Sequence, residues 1–327
     1  LVLDNFEHLL EGTHLISEIL QTCADVSILV TSRQRLNLAT ESRYELGGLA
    51  YDDAVSESSQ PREALSYTAV QLFMDSGRRV RSDFVLDENN LADVLHICRL
   101  VQGMPLGLLL AAAWLEMLSP AEIAVEIEAG IDFLAADLAD LPPRQRSMQA
   151  VFSRSWDLMT QWEQAGLARL SIFRGGFTRL AAEQVAGANL RILLALVNKS
   201  LVRRDAASER FTMHELLRQF AAEQRQQEEN IGLLHCRYFA QIAEKEFRQA
   251  LGLYPFHLAR KLPHEINNFR RALDYALEHG LAEEMLALDR AMHAYYFKLG
   301  FVSYKHANTI EKQIIESLQR FDFADDH

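Results

Sequence analysis

The sequence predicts a mainly α protein that opens on a short parallel α/β segment. Three observations predict it. Two apolar, strand-like runs, LVL at 1–3 and VSILV at 26–30, flank a helical stretch. From residue 63 onward apolar residues recur at helical spacing along most of the chain. One hairpin pattern, SLVR and RFTM around a polar DAASE turn, interrupts the helices at 200–213.

The first 60 residues alternate strand and helix. Leu1, Val2 and Leu3 are expected as a buried strand with Asp4 at its tip, where α/β folds place their sites. Leu15, Ile16, Ile19 and Leu20 predict a helix over 14–23. VSILV then predicts a second buried strand that delivers Thr31, Ser32 and Arg33 to its end. Tyr44 to Leu46, before Gly47 and Gly48, predicts a shorter third strand. Short joints imply a parallel pair with a crossover helix, and further strands are expected before residue 1.

Residues 51–62 (YDDAVSESSQPR) read as a linker. A compact helical module follows over 61–143. Its first helix is expected near 63–80, and a second starts after Asp87 with Leu91, Val94, Leu95, Cys98 and Val101 as its apolar stripe. Gly103 ends that helix in a left-handed turn, and Pro105 starts the next one, where a missing N–H costs nothing. Ser119 and Glu122 form a capping box around Pro120.

Residues 144–228 show helices near 145–159 and 161–172, the second with a Thr160/Glu163 capping box, then a Gly175–Gly176 break. Short helices near 179–187 and 190–198 precede the hairpin, and a further helix starts at His214. Helices closed by a hairpin make a winged-helix pattern. Residues 146–228 carry 12 Lys and Arg against 8 Asp and Glu, a basic module in an acidic chain. Residues 229–327 read as paired helices near 231–249, 264–279, 282–299 and 303–320, with Gly280 and Gly300 between them. Hairpins at that repeat length stack as tetratricopeptide-like solenoids.

Bulk properties narrow the function. A net charge of −12 over 327 residues argues against broad nucleic-acid coating. Cys23, Cys98 and Cys236 lie far apart, which gives neither a disulfide framework nor a zinc knuckle. The longest apolar run, 104–115, falls short of the roughly 20 residues of a membrane span. A cytoplasmic protein without a membrane partner is expected.

In order, these stretches resemble the STAND signal-transduction ATPases, the class built on the NB-ARC (AP-ATPase) module, and within it the bacterial transcriptional regulators. LVLDNFEHLL resembles a Walker B strand and VTSRQRL a sensor-1 strand. GMPLGLLLAAAWL is similar to the GxP motif, and LPPRQRSMQAVFSRSWDLM with SIFRGGFT to the entry of the winged helix. LLALVNKSLV and FTMHELLRQFA resemble its last helix, hairpin and MHD-type motif, and HEINNFRRALDYALEHG the start of a superhelical sensor.

The resemblance implies ATP or ADP with Mg²⁺, and a role for each of five residues. Asp4 would hold the metal, Arg33 would sense the γ-phosphate, and the two form the catalytic pair. Pro105, set by Gly103, would pack on adenine. His214 would contact the β-phosphate of ADP. Implied partners are nucleotide and an inducer or regulatory protein at the superhelix, with DNA contacted through a domain outside this chain and self-assembly left open.

Each residue also has a plainer reading. Asp4 can cap a loop, Arg33 can be a solvated surface arginine, and Pro105 can simply start a helix. His214 can be a helix-start histidine with no ligand.

The chain departs from the pattern as well. Asn5 stands where many ATPases carry an acidic residue, and Glu215 replaces the Asp of the MHD triplet. No GxxxxGK[ST] occurs, so the chain alone is expected to bind nucleotide poorly and to hydrolyse essentially none. HELLR at 214–218 misses a zinc-protease HExxH by its last residue. Two alternatives stand beside the nucleotide switch: a DNA-binding winged-helix protein, and a helical scaffold with an inert nucleotide fold.

Overall fold

The computed structural model describes residues 1–52, 61–136, 142, 145–225, 230–252, 258–299 and 312. In chain order these form β1 (Val2–Leu3), α1 (Thr13–Thr22), β2 (Leu29–Val30), α2 (Pro61–Ala64), α3 (Thr68–Val80), α4 (Leu91–Leu100) and α5 (Pro105–Ala113). Next come α6 (Pro120–Ala129), α7 (Met148–Asp157), α8 (Gln161–Leu170), α9 (Arg179–Ala186) and α10 (Leu190–Asn198). The hairpin β3 (Arg203–Arg204) and β4 (Phe211–Thr212) precedes α11 (Glu215–Glu223), α12 (Ile231–Gly252), α13 (Leu258–His279) and α14 (Ala282–Leu299). Two compact units result, one holding residues 1–161, 195–201 and 214–220, the other holding the rest.

In the first unit β1 and β2 pair in parallel, Val2 with Leu29 and Leu3 with Val30. The pairing agrees with the sequence, but the expected burial does not. Val2 is 69% exposed and Leu29 65%, because two strands alone leave both edges and much of each face open. Tyr44 to Leu46 forms no strand and stands in solvent, since no neighbour offers it a ladder. The helix expected over 63–80 divides into α2 and α3. Ser66 N and Tyr67 N bond to Glu63 O and Ala64 O in a turn between them.

The core of this unit lies among α3, α4, α5 and α6. Phe73, Ile97, Leu108, Leu110, Ile123 and Ile127 are all fully buried there. Each such side chain contributes about 1.5–3 kcal/mol of transfer free energy. The local signals read from the sequence are present: Gly103 lies at φ +64°, Pro105 opens α5, and Ser119 with Glu122 makes a complete capping box on α6. Ser147 caps α7 by accepting from Ala150 N at 3.0 Å.

In the second unit β3 and β4 pair antiparallel, and Phe177 adds a third rung by exchanging both backbone bonds with Phe211. Gly175 and Gly176 make this possible at φ +76° and +94°. A Cβ on Gly176 would stand 2.8 Å from Phe211 O. Helices α12, α13 and α14 pack on one another, and α12 also packs on α9. The helix expected at 264 starts at Leu258 instead. The helix expected over 303–320 lies outside the described residues apart from Lys312, as does most of the expected 51–62 linker. No single helix among the described residues is long and apolar enough to cross a membrane.

Candidate functional site

The parallel register sets Asp4 and Thr31 side by side at the carboxyl ends of β1 and β2. Asp4 is exposed, and its Oδ1 accepts a hydrogen bond from Thr31 Oγ1. Asn5 takes a left-handed conformation at φ +60°, and its N–H reaches Thr31 Oγ1 at 3.0 Å. Among the described residues, no three His, Cys, Asp or Glu side chains gather to hold a metal. A lone carboxylate still suits Mg²⁺, which takes one or two carboxylates and completes its shell with water and phosphate oxygens.

Arg33 leaves the end of β2 and turns toward α7. Its Nη1 donates to Val151 O at 3.2 Å and to Ser155 Oγ at 3.0 Å. Its Nε lies 3.6 Å from Glu7 Oε1, and its backbone N–H donates to Glu7 Oε2 at 3.4 Å. The Glu7 side chain is 5% exposed, so its charge is set against Arg33 rather than water. Arg33, Glu7, Arg154, Ser155, Leu158 and Lys199 line a small, open cleft. Arg154 also contacts His8 Nε2 through its guanidinium.

Gly103 and Pro105 occupy the turn between α4 and α5. Gly103 O accepts from Leu49 N at 2.8 Å, and a Cβ on Gly103 would stand 2.1 Å from Leu49 O. Only a bare backbone fits there. Pro105 is exposed at the first position of α5. His214 sits just before α11, with Nδ1 accepting from Leu216 N at 3.2 Å. A neutral ring that accepts at Nδ1 carries its proton on Nε2, which makes that atom a donor.

Packing joins α11, which follows His214, to α5, which opens on Pro105, and to α7, which holds Arg33. Leu216 of α11 comes within 3.6 Å of the place a Cβ on Gly107 would take in α5. Phe220 of α11 contacts Phe152 and Trp156 of α7, with ring centroids 6.0 and 5.9 Å apart. Gln219 Nε2 donates to Ile127 O of α6 at 3.3 Å. Glu215 is paired with Arg218, at 2.7 and 2.8 Å. Nothing in the sequence ties Glu7, Val151 or Ser155 to Arg33, and the contacts with Val151 and Ser155 span more than a hundred residues. Burial pushes the Cys98 and Cys236 thiols up to about 12, which removes both as nucleophiles.

No protein-family model matches the chain. A Mycobacterium tuberculosis protein and a Mycobacterium bovis protein, each provisionally named an HTH-type transcriptional regulator, are 31% identical to it over 309 residues. That alignment takes in 91% of this chain and 33% of theirs, so the chain spans about a third of the length of these curated relatives. An uncharacterized Mycobacterium tuberculosis protein is 34% identical over 190 residues, covering 58% of this chain and 44% of that one. Among solved structures, a STAND protein with a tetratricopeptide repeat sensor from Pyrococcus horikoshii aligns with 98% of this chain and 50% of its own. Its identity is 16% and its TM-score 0.28, a superposition too loose to carry the fold from one to the other.

Proposed function

We propose that this chain is the switch portion of a nucleotide-controlled transcriptional regulator. On this reading residues 1–60 complete an NTPase α/β domain, 61–143 form an ARC-type helical domain, 144–228 a winged helix, and 229–327 the start of a helical sensor. The observation that carries it is α7, which touches Arg33 through Val151 and Ser155 and the His214-led helix through Phe152 and Trp156. A residue suited to phosphate and a helix suited to reporting its state therefore share one ten-residue element.

Asp4 would hold Mg²⁺, which supplies positive charge against the phosphates when bound. Arg33 would read the terminal phosphate, Pro105 would present its ring to the adenine, and His214 would donate from Nε2 to a phosphate oxygen. Nucleotide moves such a balance only by binding one arrangement more tightly than the other. Transcriptional control draws on the names of the mycobacterial relatives.

The test is ADP release from the protein expressed from its complete reading frame. His214→Ala should shorten ADP retention at least severalfold, and an unchanged off-rate would overturn the assignment.

A second reading, direct contact of the wing with DNA, draws on the exposure of Arg191, Arg203 and Arg204. It predicts binding of the chain to duplex DNA with a steep salt slope. No binding at low salt removes it.

A further inference from the structure

We infer that Glu7 and Ser155 are positioning residues that latch Arg33 onto α7 and so decide when it is available to a phosphate. This rests on the switch reading above and adds its regulation.

The latch has three parts. Glu7 takes both the Nε side of the guanidinium and the backbone N–H of Arg33, which fixes the side chain at its root. Val151 O and Ser155 Oγ share Nη1, which fixes its tip. Val151 and Ser155 are four residues apart and therefore neighbours on one face of α7. Phe152 and Trp156 form the adjoining stripe, again four apart, and it is these rings that meet Phe220.

The consequence follows from geometry. A guanidinium with Nη1 shared between two acceptors on α7 points where α7 holds it. Turning Arg33 toward a phosphate breaks both bonds and strips a nearly buried Glu7 of its counter-charge. The motion is favourable only when a phosphate replaces those partners or when α7 moves. Because α7 also carries the contacts to Phe220, displacing α11 loosens the hold on Arg33. Freeing Arg33 in turn leaves α7 less tied to the strand end.

The experiment has two arms. In the first, the chain is labelled with ¹⁵N-arginine and the Nε–H resonance of Arg33, assigned by its loss in Arg33→Lys, is followed. A latched side chain gives a protected signal that moves or broadens in Ser155→Ala and in Glu7→Gln, and returns in Ser155→Thr, which keeps the hydroxyl. A signal unchanged by both substitutions overturns the latch, whatever the nucleotide does.

In the second arm, ATP and ADP affinities are measured on the protein from the complete reading frame. Ser155→Ala should raise the preference for ATP over ADP by about threefold or more, and it should change nothing in an Arg33→Ala background. A preference that does not move, in a protein that does bind nucleotide, overturns the proposal. Absence of any nucleotide binding would sink the switch reading instead, and the regulatory role with it, while the first arm still decides the contact.

Discussion

Arg210 and Glu265 meet as a two-pronged ion pair across 55 residues of sequence, Nη1 against Oε1 and Nη2 against Oε2 at 3.0 Å. Both side chains are largely buried, at 10% and 14% exposure. The same Nη2 reaches Gly176 O and His264 O at 3.1 Å, and Asn268 Nδ2 adds a second donor to Gly176 O at 2.9 Å. Arg174 N closes the group by donating to Asn268 Oδ1 at 2.7 Å. The hairpin, the Gly175–Gly176 turn and α13 are thereby joined by hydrogen bonds.

Removing one partner of such a pair leaves a buried charge uncompensated. Arg210→Ala is expected to lower the stability of the chain by about 3–5 kcal/mol in urea unfolding. Arg210→Met combined with Glu265→Leu should cost clearly less than either single loss. A double variant as damaged as the sum of the singles would show that the two residues are not coupled and would overturn this reading.

His235 predicts a pH dependence. It packs between Phe173 and Phe239 and contacts Asn268 Oδ1 at 3.5 Å. Burial pushes its imidazole down to about 3, opposed by the Asn268 hydrogen bond. An unfolded chain takes up this proton near pH 6.5, whereas the folded one refuses it until about 3. The unfolded state therefore binds more protons across that window, and stability falls as the pH drops from about 6.5 toward 3. The loss is up to about 1.4 kcal/mol per pH unit. Thermal melts at pH 7 and pH 5 should show a smaller difference in His235→Phe than in the parent.

Gly103→Ala should destabilise the first unit by at least about 1–3 kcal/mol, combining a left-handed φ with a methyl placed on Leu49 O. Urea midpoints measure it. A neutral substitution would mean that the chain at 48–50 withdraws without cost.

Ser119→Ala removes one half of the capping box, where Ser119 N donates to Glu122 Oε2 at 2.8 Å and Ser119 Oγ accepts from Glu122 N at 3.3 Å. A loss of about 1 kcal/mol is expected. The backbone and hydroxyl of Ser119 hold the Glu122 carboxyl below its usual range, so its titration should shift upward in the same variant.

What could be read from sequence was local. Pro105, Ser119 and Gly103 each act within a few residues of their own position, and the helices they bound lie close to where they were expected. Tyr44 to Leu46 failed for the converse reason: alternation marks a strand only if a neighbour supplies the ladder. The break at Ser66 carries neither Gly nor Pro to announce it.

The same division holds at the site. The placement of Asp4 and Arg33 just beyond β1 and β2 was legible because strand ends are marked by a change of polarity. Ser155 on α7 and Glu265 on α13 look like ordinary polar helix residues, and only folding brings them to Arg33 and Arg210. Phe177 as a rung beside Phe211 was equally hidden, since a single bridging residue leaves no periodicity.

The seam at Leu49 and Ala50 has a mechanical meaning. Leu49 N is tied to Gly103 O, Ala50 N to Thr68 Oγ1, and Ala69 N to Ala50 O, at 2.8, 3.0 and 3.0 Å. Gly48 lies against this turn as well, with no room for a Cβ beside Gln102 O. These residues are thus hemmed to the starts of α3 and α5 and travel with them. Leu49 is therefore a fixed end for the stretch 37–47, whose other end is held separately, through Arg33 on α7 and Arg35 N on Asn198 O.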